Sequence, residues 1–279
     1  MIYDFSNTFA LFYKYFTSCM KKIPFDQGSG QPFECFKLQI ITKLNLQMNL
    51  KHSLKVLFSG IFVKIKSGPL KGKKWIITSG GNFISGDQES YKTDAFLKNF
   101  IPGSIFFDIG AHIGYYSAIG AMLNDGKGHV YSFEPRPMNA GFFRKHMKKN
   151  GFENVTLFEA AVGEKDGFVQ FDTAHGSATG RVSSDGDLKV KQVSIDRMVS
   201  DGELPSPDFI KIDVEGGEID VLKGLTGVVS KFRPRLIVAT HNPECYGFTV
   251  DFLKNNRYRF EVLNPDPVKG DTEIVALPE

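Results

Sequence analysis

The sequence has few of the features that mark secreted or membrane-spanning proteins. Its only three cysteines, Cys19, Cys35 and Cys245, lie far apart among 279 residues. No pair has the short spacing of a zinc site or a redox dithiol, so free thiols in a reducing, cytoplasmic compartment are expected. The chain also lacks a long uninterrupted apolar run and a basic leader followed by a small-residue cleavage site. Neither a membrane span nor a secretory signal is therefore expected.

The charge lacks a dominant sign. The 34 Lys and Arg residues stand against 31 Asp and Glu residues, which leaves a net charge of +3, and the two signs alternate along the chain. Nucleic-acid binding usually needs a denser basic face, so no nucleic-acid partner is expected. Phenylalanine, in contrast, is abundant, with 26 copies. This abundance predicts an aromatic core or substrate surface.

Residues 1–81 have a weaker pattern than the rest of the chain. Aromatic residues recur at three- and four-residue steps between Phe5 and Phe16, which predicts one apolar side of a helix. That side would face a core or a second copy of the chain in a homo-oligomer, or it would lie on a membrane surface. The pattern leaves these alternatives open. We interpret residues 1–81 as a mostly helical region that shapes substrate access, with a short strand at residues 75–78.

Strands and helices alternate in the second region, residues 82–279, which we predict to be one catalytic domain. Strands are predicted at residues 104–108, 129–134, 155–158, 209–213 and 235–240, followed by a hairpin of residues 258–263 and 273–277. This order predicts an α/β fold with a mostly parallel sheet, helices on both faces and one antiparallel strand near its edge. Residues 163–193, rich in Gly, Ser and Asp, are expected to form an inserted hairpin and loop.

The first two of these strands each end in an acid. Asp108 ends the first strand and is followed by Gly110 and Gly114, and Glu134 ends the second. Ligands of open parallel sheets bind beyond the carboxyl ends of the strands. Glycine at such a turn allows positive φ angles and a close approach of the backbone to the ligand. We therefore predict a cofactor site at these residues.

The spacing of the glycines separates two cofactors. A dinucleotide fingerprint is G-x-G-x-x-G, which seats pyrophosphate on a helix N-terminus. Here the spacing is G-x-x-x-G, and Asp108 precedes it. That acid would repel a diphosphate and suits the ammonium and sulfonium groups of S-adenosylmethionine, whereas Glu134 can accept ribose hydroxyls from either cofactor. We predict S-adenosylmethionine; a nicotinamide-dependent oxidoreductase and a non-catalytic binding module remain the alternatives.

Several motifs resemble those of FkbM-type methyltransferases. They are Phe107-Asp108-Ile109-Gly110-Ala111-His112-Ile113-Gly114-Tyr115-Tyr116, Phe133-Glu134-Pro135, Ala160-Ala161-Val162-Gly163 and Ile210-Lys211-Ile212-Asp213-Val214-Glu215-Gly216-Gly217-Glu218. The resemblance covers about residues 86–242. It implies a Rossmann-like, seven-stranded class I methyltransferase fold and O-methylation of a hydroxyl on a sugar, glycan or related natural product. It also implies donor contacts from His112, Tyr115, Ala161 and Asp213, with His112 standing where the family usually has Asn.

Methylation of a hydroxyl benefits from a base that takes its proton. The fourth and fifth predicted strands end near Asp213, Glu215, His241 and Asn242. We predict His241 as the general base, because its ordinary pKa lies near neutrality, with Asp213 and Glu215 orienting it or binding the acceptor. Asn242 is expected to contact the acceptor.

Three further assignments complete the predicted site. His175 and Ser177, in a glycine-containing loop, are expected to face the acceptor. Glu218 lies in the first turn of a predicted helix, where an acid complements the helix dipole, so a structural role is predicted for it. The spacing of Asp213, Glu215 and Asn242 does not require a metal ion, and no metal is predicted.

Overall fold

The structure, a computed structural model, describes residue 58 and residues 60–86, 90–172, 181–182, 186–264 and 271–279. The helices are α1 (Gly81–Ser85), α2 (Ser90–Asn99), α3 (Tyr115–Asn124), α4 (Pro137–Asn150), α5 (Ile195–Ser200), α6 (Glu218–Lys223), α7 (Thr226–Phe232) and α8 (Pro243–Asn255). The strands are β1 (Phe62–Lys64), β2 (Lys74–Ile76), β3 (Ile105–Ile109), β4 (His129–Phe133), β5 (Val155–Phe158), β6 (Ala161–Val162), β7 (Gly167–Asp172), β8 (Arg181–Val182), β9 (Leu188–Val193), β10 (Phe209–Ile212), β11 (Arg235–His241), β12 (Tyr258–Val262) and β13 (Asp271–Pro278).

A seven-stranded sheet in the order β12-β13-β11-β10-β3-β4-β5 forms the centre of the fold. Strands β11, β10, β3, β4 and β5 pair in parallel, and β13 runs antiparallel between β11 and β12. The strand order reverses beside β3, so the carboxyl ends of β3, β4, β10 and β11 meet along one edge. The predicted Rossmann-like class I methyltransferase sheet, with its C-terminal antiparallel hairpin, is confirmed.

Each face of this sheet buries its own hydrophobic core. Neighbouring residues of β3 point to opposite faces, as a strand requires. Phe106 packs with α2, α3 and α4, whereas Phe107 packs with residues of α5, α6, α7 and α8. Both phenylalanines are fully buried. The predicted aromatic core is therefore present, and helices on both faces hold the strand ends in place.

Residues 161–193 contain a second, four-stranded sheet in the order β6-β9-β7-β8. Strands β7 and β9 pair antiparallel, so the inserted hairpin is confirmed. Phe171 and Val190 form a small core with Ala161. The loop that carries His175 and Ser177 lies outside the described residues.

Strands β1 and β2 form an antiparallel hairpin that precedes the predicted catalytic domain. β2 confirms the short strand expected near residue 75, whereas β1 was not predicted. Residues 62–76 therefore form a hairpin and not the helical structure expected for most of residues 1–81. Trp75 is fully buried and stacks on His146 of α4, with ring centroids 3.8 Å apart. The helix predicted between Phe5 and Phe16 lies outside the described residues. None of the described helices is long and apolar enough to cross a membrane.

Candidate active site

A cavity of about 590 Å³ opens at the carboxyl edge of the central sheet. Its walls come from residues 80–83, the turns after β3 and β4, residues 160–162 and the segment after β10. The size is typical of a small-molecule site. Six residues predicted to bind the donor line this cavity: Gly110, His112, Tyr115, Glu134, Ala161 and Asp213.

The turn after β3 is held tightly against its neighbours. The N–H groups of Gly110 and Ala111 both donate to the Phe133 carbonyl, at 3.0 and 2.9 Å. Gly110 has φ +79°, and a Cβ atom there would lie 1.9 Å from the Asp213 carbonyl oxygen. Position 110 therefore requires glycine both for its left-handed backbone and because β3 and the segment after β10 approach so closely.

Glu134 joins this turn to the cavity. Its carboxylate accepts from the His112 N–H at 2.9 Å, the Arg136 N–H at 2.9 Å and the Asn139 side-chain amide at 3.2 Å. Burial raises the pKa of Glu134 to about 7, although these three donors favour the ionised form. A carboxylate has about four acceptor positions. One position therefore remains for a ribose hydroxyl, so the site fits the nucleoside part of S-adenosylmethionine.

Asp108 does not have the place that the sequence argument gave it. Its carboxylate is fully buried, accepts from the Ser117 hydroxyl at 2.5 Å and lies 3.3 Å from Lys211 Nζ. It lies behind the cavity wall, so it supports β3 and β10 and does not face a cationic ligand. Gly114 also lies behind the wall, where a Cβ atom would come within 2.7 Å of Phe143 and Met147 on α4.

Asp213, unlike Asp108, reaches the cavity wall. Its carboxylate lies 3.0 Å from Lys92 Nζ and 3.6 Å from Lys211 Nζ. Burial alone would raise the pKa of Asp213, but these two ammonium groups and His241 hold it well below its usual range. Asp213 is therefore ionised at the cavity wall, where it is paired with two ammonium groups.

His241, at the end of β11, lies among three carboxylates. Its Nδ1 is 2.8 Å from Glu218, and its Nε2 is 3.5 Å from Asp213 and 3.7 Å from Glu215. Burial lowers the pKa of His241, but the hydrogen bond to Glu218 and the negative charges of Asp213, Glu218 and Glu215 outweigh it and raise the pKa to about 9. The three predicted catalytic residues are thus brought together by the fold.

Glu218 has a larger role than the helix-dipole role predicted for it. Its side chain is fully buried, and one carboxylate oxygen accepts from the Gly216 N–H at 2.9 Å and contacts Nδ1 of His241. Burial raises the pKa of Glu218, and the hydrogen bond with His241 reverses this and leaves it lowered. Glu218 therefore fixes the His241 ring and leaves Nε2 towards Asp213 and Glu215, which line the cavity. The prediction had given that orienting task to Asp213 or Glu215.

The remaining predicted residues fall in three places. Asn242 caps α8, where its side chain accepts from the Cys245 N–H at 2.8 Å. Like His241, it is not among the residues that line the cavity, whereas Asp213 and Glu215 beside His241 are. His175 and Ser177 lie outside the described residues. Asp213, Glu215 and His241 have ligand atoms within 4.8 Å of one another, close enough to hold a metal ion. The third ligand of such a metal site would therefore be His241 and not Asn242.

Sequence reasoning missed several residues that shape the site. Lys92 was not singled out because its partner Asp213 lies 121 residues away in the sequence. Lys211 stands inside the Lys-Ile-Asp-Val-Glu-Gly-Gly-Glu block, so that motif was the signal that could have identified it; the same motif could have pointed to the contact of Glu218 with His241, since only a helix-dipole role was predicted for Glu218. Residues 80–83 form one wall, and nothing in the local pattern marked them.

The comparisons with known proteins place the chain in a family. The Methyltransferase FkbM domain matches residues 108–260, just over half of the chain. The chain belongs to the FkbM methyltransferase family. Membership identifies the domain as a methyltransferase domain and supports S-adenosylmethionine as its donor, as expected from the sequence.

Two characterised relatives and one solved structure resemble the chain. Hexuronic acid methyltransferase AglP of Haloferax volcanii is 30% identical over 127 residues, which cover 45% of this chain and 51% of the relative. The 2-O-methyltransferase NoeI of Sinorhizobium fredii is 26% identical over 152 residues, covering 47% and 61%. The methyltransferase FkbM from Methylobacillus flagellatus is 22% identical, with a TM-score of 0.47, and the match covers 63% of this chain and 44% of that one. The chain thus spans about half the length of the first relative.

Proposed function

We propose that the protein is an S-adenosylmethionine-dependent O-methyltransferase whose acceptor is a hydroxyl of a sugar or glycan. The names of AglP and NoeI, a hexuronic acid methyltransferase and a 2-O-methyltransferase, support this class of acceptor. The observation that carries the proposal is the position of His241. Its ring is fixed by buried Glu218, and its Nε2 lies beside the acids of the cavity wall.

The residues of the cavity would hold the donor at two ends. Glu134 would accept a ribose hydroxyl at the turn after β4, and Asp213 would lie beside the cationic end. When bound, the donor supplies a methyl group already activated by a positively charged sulfur. The remaining task of the protein is to place the acceptor oxygen in line with that carbon and to exclude water.

His241 would act on the acceptor proton. As the acceptor oxygen forms its bond to the methyl carbon, the bond from carbon to sulfur breaks, sulfur keeps that electron pair, and Nε2 takes the hydroxyl proton. A base with a pKa of about 9 is strong but mostly protonated at neutral pH. Activity should therefore rise by about tenfold per pH unit below pH 9 and then level off, as expected for a single required base.

The first experiment tests the reaction. The full chain is incubated with isotope-labelled S-adenosylmethionine and a panel of hexuronic acids, neutral hexoses and their oligomers, and products are analysed by mass spectrometry. A gain of one labelled methyl group on a sugar oxygen supports the proposal. Methylation of a nitrogen or of RNA would contradict it, and so would thermal stabilisation by a nicotinamide cofactor in place of S-adenosylmethionine. A chelator is included in a parallel series. If it abolishes activity, a divalent metal ion that lowers the pKa of the hydroxyl would replace His241 as the group that promotes loss of the proton.

The second experiment tests the base. His241→Ala should lower kcat by about 100-fold or more, the usual contribution of a general base, while donor affinity stays nearly constant. Asn242→Ala is the matched control, because that neighbouring side chain caps α8 and makes none of the described hydrogen bonds or ion pairs with the three carboxylates around His241. Equal turnover in His241→Ala and the unmodified protein would remove His241 from the mechanism without affecting the proposed acceptor class.

A further inference from the structure

Two segments of the chain carry basic residues and no acid. Residues 60–86 contain five lysines, and α4 contains one arginine and three lysines, without a single Asp or Glu in either segment. The even charge balance of the whole chain conceals this concentration. Because the first segment ends at residue 86 and α4 begins at Pro137, only the fold brings them together.

The β1–β2 hairpin packs directly on α4. The backbone of Lys74 exchanges hydrogen bonds of 2.7 and 2.9 Å with the Asn150 side chain, and Trp75 stacks on His146. Lys149 Nζ lies 5.2 Å from the centre of the Phe62 ring. The resulting surface, which we name the basic face, consists of Lys64, Lys73, Lys74, Lys145, Lys148 and Lys149.

Only some of the lysines of the basic face stabilise the fold. Lys148 and Lys149 lie in the last turn of α4, where cations complement the helix dipole. No such stabilising effect explains Lys64 and Lys74, since the strand register places these two lysines directly opposite each other. Like charges at opposed positions of an antiparallel pair are destabilising. An anionic partner bound beside both ammonium groups would offset this repulsion.

The shape of the basic face favours one kind of anion. A shallow, open groove lies between Gly60 and Phe62 on one side and Lys145, Lys148 and Lys149 on the other, and the surface that lines it is mostly carbon. Long lysine stems line such apolar surface while their ammonium groups stay in water. Apolar surface rimmed by ammonium groups matches the boundary between acyl chains and anionic headgroups.

The aromatic rings of the basic face argue against single-stranded nucleic acid. Proteins bind unpaired bases by stacking them on exposed rings. Here Lys149 lies over the Phe62 ring, and Lys73 lies over the Phe152 ring at 5.0 Å. One face of each ring is thus already covered by an ammonium group. We propose that the basic face docks the protein peripherally on an anionic lipid surface.

The test measures binding of the full chain to lipid vesicles, independently of methyl transfer. Co-sedimentation is compared for phosphatidylcholine vesicles with and without phosphatidylglycerol, at low and high salt. Binding is expected only to the anionic vesicles and should weaken as salt screens the charges. The triple variant Lys74→Gln, Lys148→Gln, Lys149→Gln should bind about 100-fold less tightly, since each lysine near such a surface contributes roughly a fivefold factor.

A matched variant removes the same charge elsewhere. Lys223, Lys231 and Lys254 are exposed on α6, α7 and α8, the helices that cover the other face of the sheet. Changing these three to Gln should leave vesicle binding unchanged, and both triple variants should keep the melting temperature of the unmodified protein. Equal losses in the two variants, or no binding to anionic vesicles, would overturn the proposal.

A third arm distinguishes lipid from other polyanions. Phe62→Ala should weaken vesicle binding severalfold while leaving retention on a heparin column nearly unchanged, because only lipid uses the apolar groove. Tighter binding to duplex RNA or heparin than to anionic vesicles would also overturn the proposal. Since no arm depends on turnover, the result is separate from the success or failure of the proposed reaction.

Discussion

Two histidines of this protein have opposite surroundings. His146 of α4 is fully buried, and both ring nitrogens contact main-chain groups: the Ile76 N–H donates to Nε2 at 3.1 Å, and Nδ1 lies 2.9 Å from the Ile113 carbonyl. Burial lowers the pKa of His146 to about 4. His241 is partly exposed and contacts carboxylates, which raise its pKa to about 9. One histidine is therefore neutral and the other cationic at neutral pH.

The contrast shows how partners decide what a buried histidine does. A main-chain N–H and a carbonyl fix His146 as the Nδ1–H tautomer, which is uncharged at neutral pH. Through these two hydrogen bonds the ring links β2 to the turn after β3. Carboxylates at both ends of the His241 ring favour the charged form and make its conjugate base a strong proton acceptor. His146 thus acts on stability and His241 on proton transfer. The predictions below test this division.

The largest effect is expected from His146→Leu. Leucine fills much of the volume but leaves the Ile76 N–H and the Ile113 carbonyl without their buried partner and removes the stacking on Trp75. Each unsatisfied buried group costs about 1–3 kcal/mol, so the free energy of unfolding should fall by about 3 kcal/mol in urea denaturation. His129→Leu is the control, because that ring is partly exposed and bonds only a hydroxyl, Thr156, among its described partners. Equal losses would mean that His146 is not a special link.

His146 also illustrates the limit of prediction from the sequence. The positions of the strands, the terminal hairpin and the turn after β3 followed from local signals: apolar runs that end in acids, and glycines that follow them. His146 lies on α4, yet its partners at Ile76 and Ile113 lie 70 and 33 residues away. A contact of that range has no signature in a single sequence.

The candidate site was predicted to a similar extent. The acid-glycine pattern located the cavity, but Asp108 itself is buried and does not line it. Local spacing shows that an acid ends β3 but not whether its carboxylate faces solvent or a buried lysine. Lys211 on the neighbouring strand neutralises Asp108 from inside, and Asp213 takes the position at the wall. Strand ends are thus predictable, whereas the direction of each side chain depends on the neighbouring strand.

Glu218→Gln is expected to have the next largest effect. The substitution keeps the shape of the side chain and removes the charge that lies against Nδ1 of His241, so the pKa of His241 should fall. The inflection in kcat/KM against pH should move down from about 9 by about one unit, and the rate on the alkaline plateau should fall by about threefold to tenfold. A purely structural role would lower the rate without moving the inflection. Glu244→Gln, an exposed acid in the first turn of α8, should leave the profile unchanged.

A third prediction concerns acid and the stability supplied by His146. Its folded-state pKa of about 4 lies below its ordinary value of 6.5, so between these values the unfolded chain binds more protons than the folded chain. Stability from His146 is therefore complete above pH 6.5 and is lost as pH falls towards 4. Glu134, whose pKa is raised to about 7, acts in the opposite direction over an overlapping range.

The comparison of two proteins isolates the His146 contribution, because Glu134 is present in both. Within the window from pH 6.5 to pH 4, the difference in unfolding free energy between the unmodified protein and His146→Leu should shrink by at most about 1.4 kcal/mol per pH unit. Urea denaturation at several pH values measures this difference. A difference that stays constant down to pH 4 would show that His146 does not titrate on unfolding in this range.

The smallest effect is expected from Glu215→Gln, which tests how far the carboxylates act as a set. Glu215 lies 3.7 Å from Nε2 and is partly exposed, so water screens its charge more than that of Glu218. Burial also raises its own pKa, which reduces the charge that it carries at moderately acid pH. Glu215 has a left-handed backbone with φ +58°, and Gln there has the same strain, so the variant changes charge alone.

In Glu215→Gln, the inflection of kcat/KM against pH should move down by less than about half a unit. A shift as large as that of Glu218→Gln would mean that proximity to Nε2, and not the buried hydrogen bond at Nδ1, sets the basicity of His241.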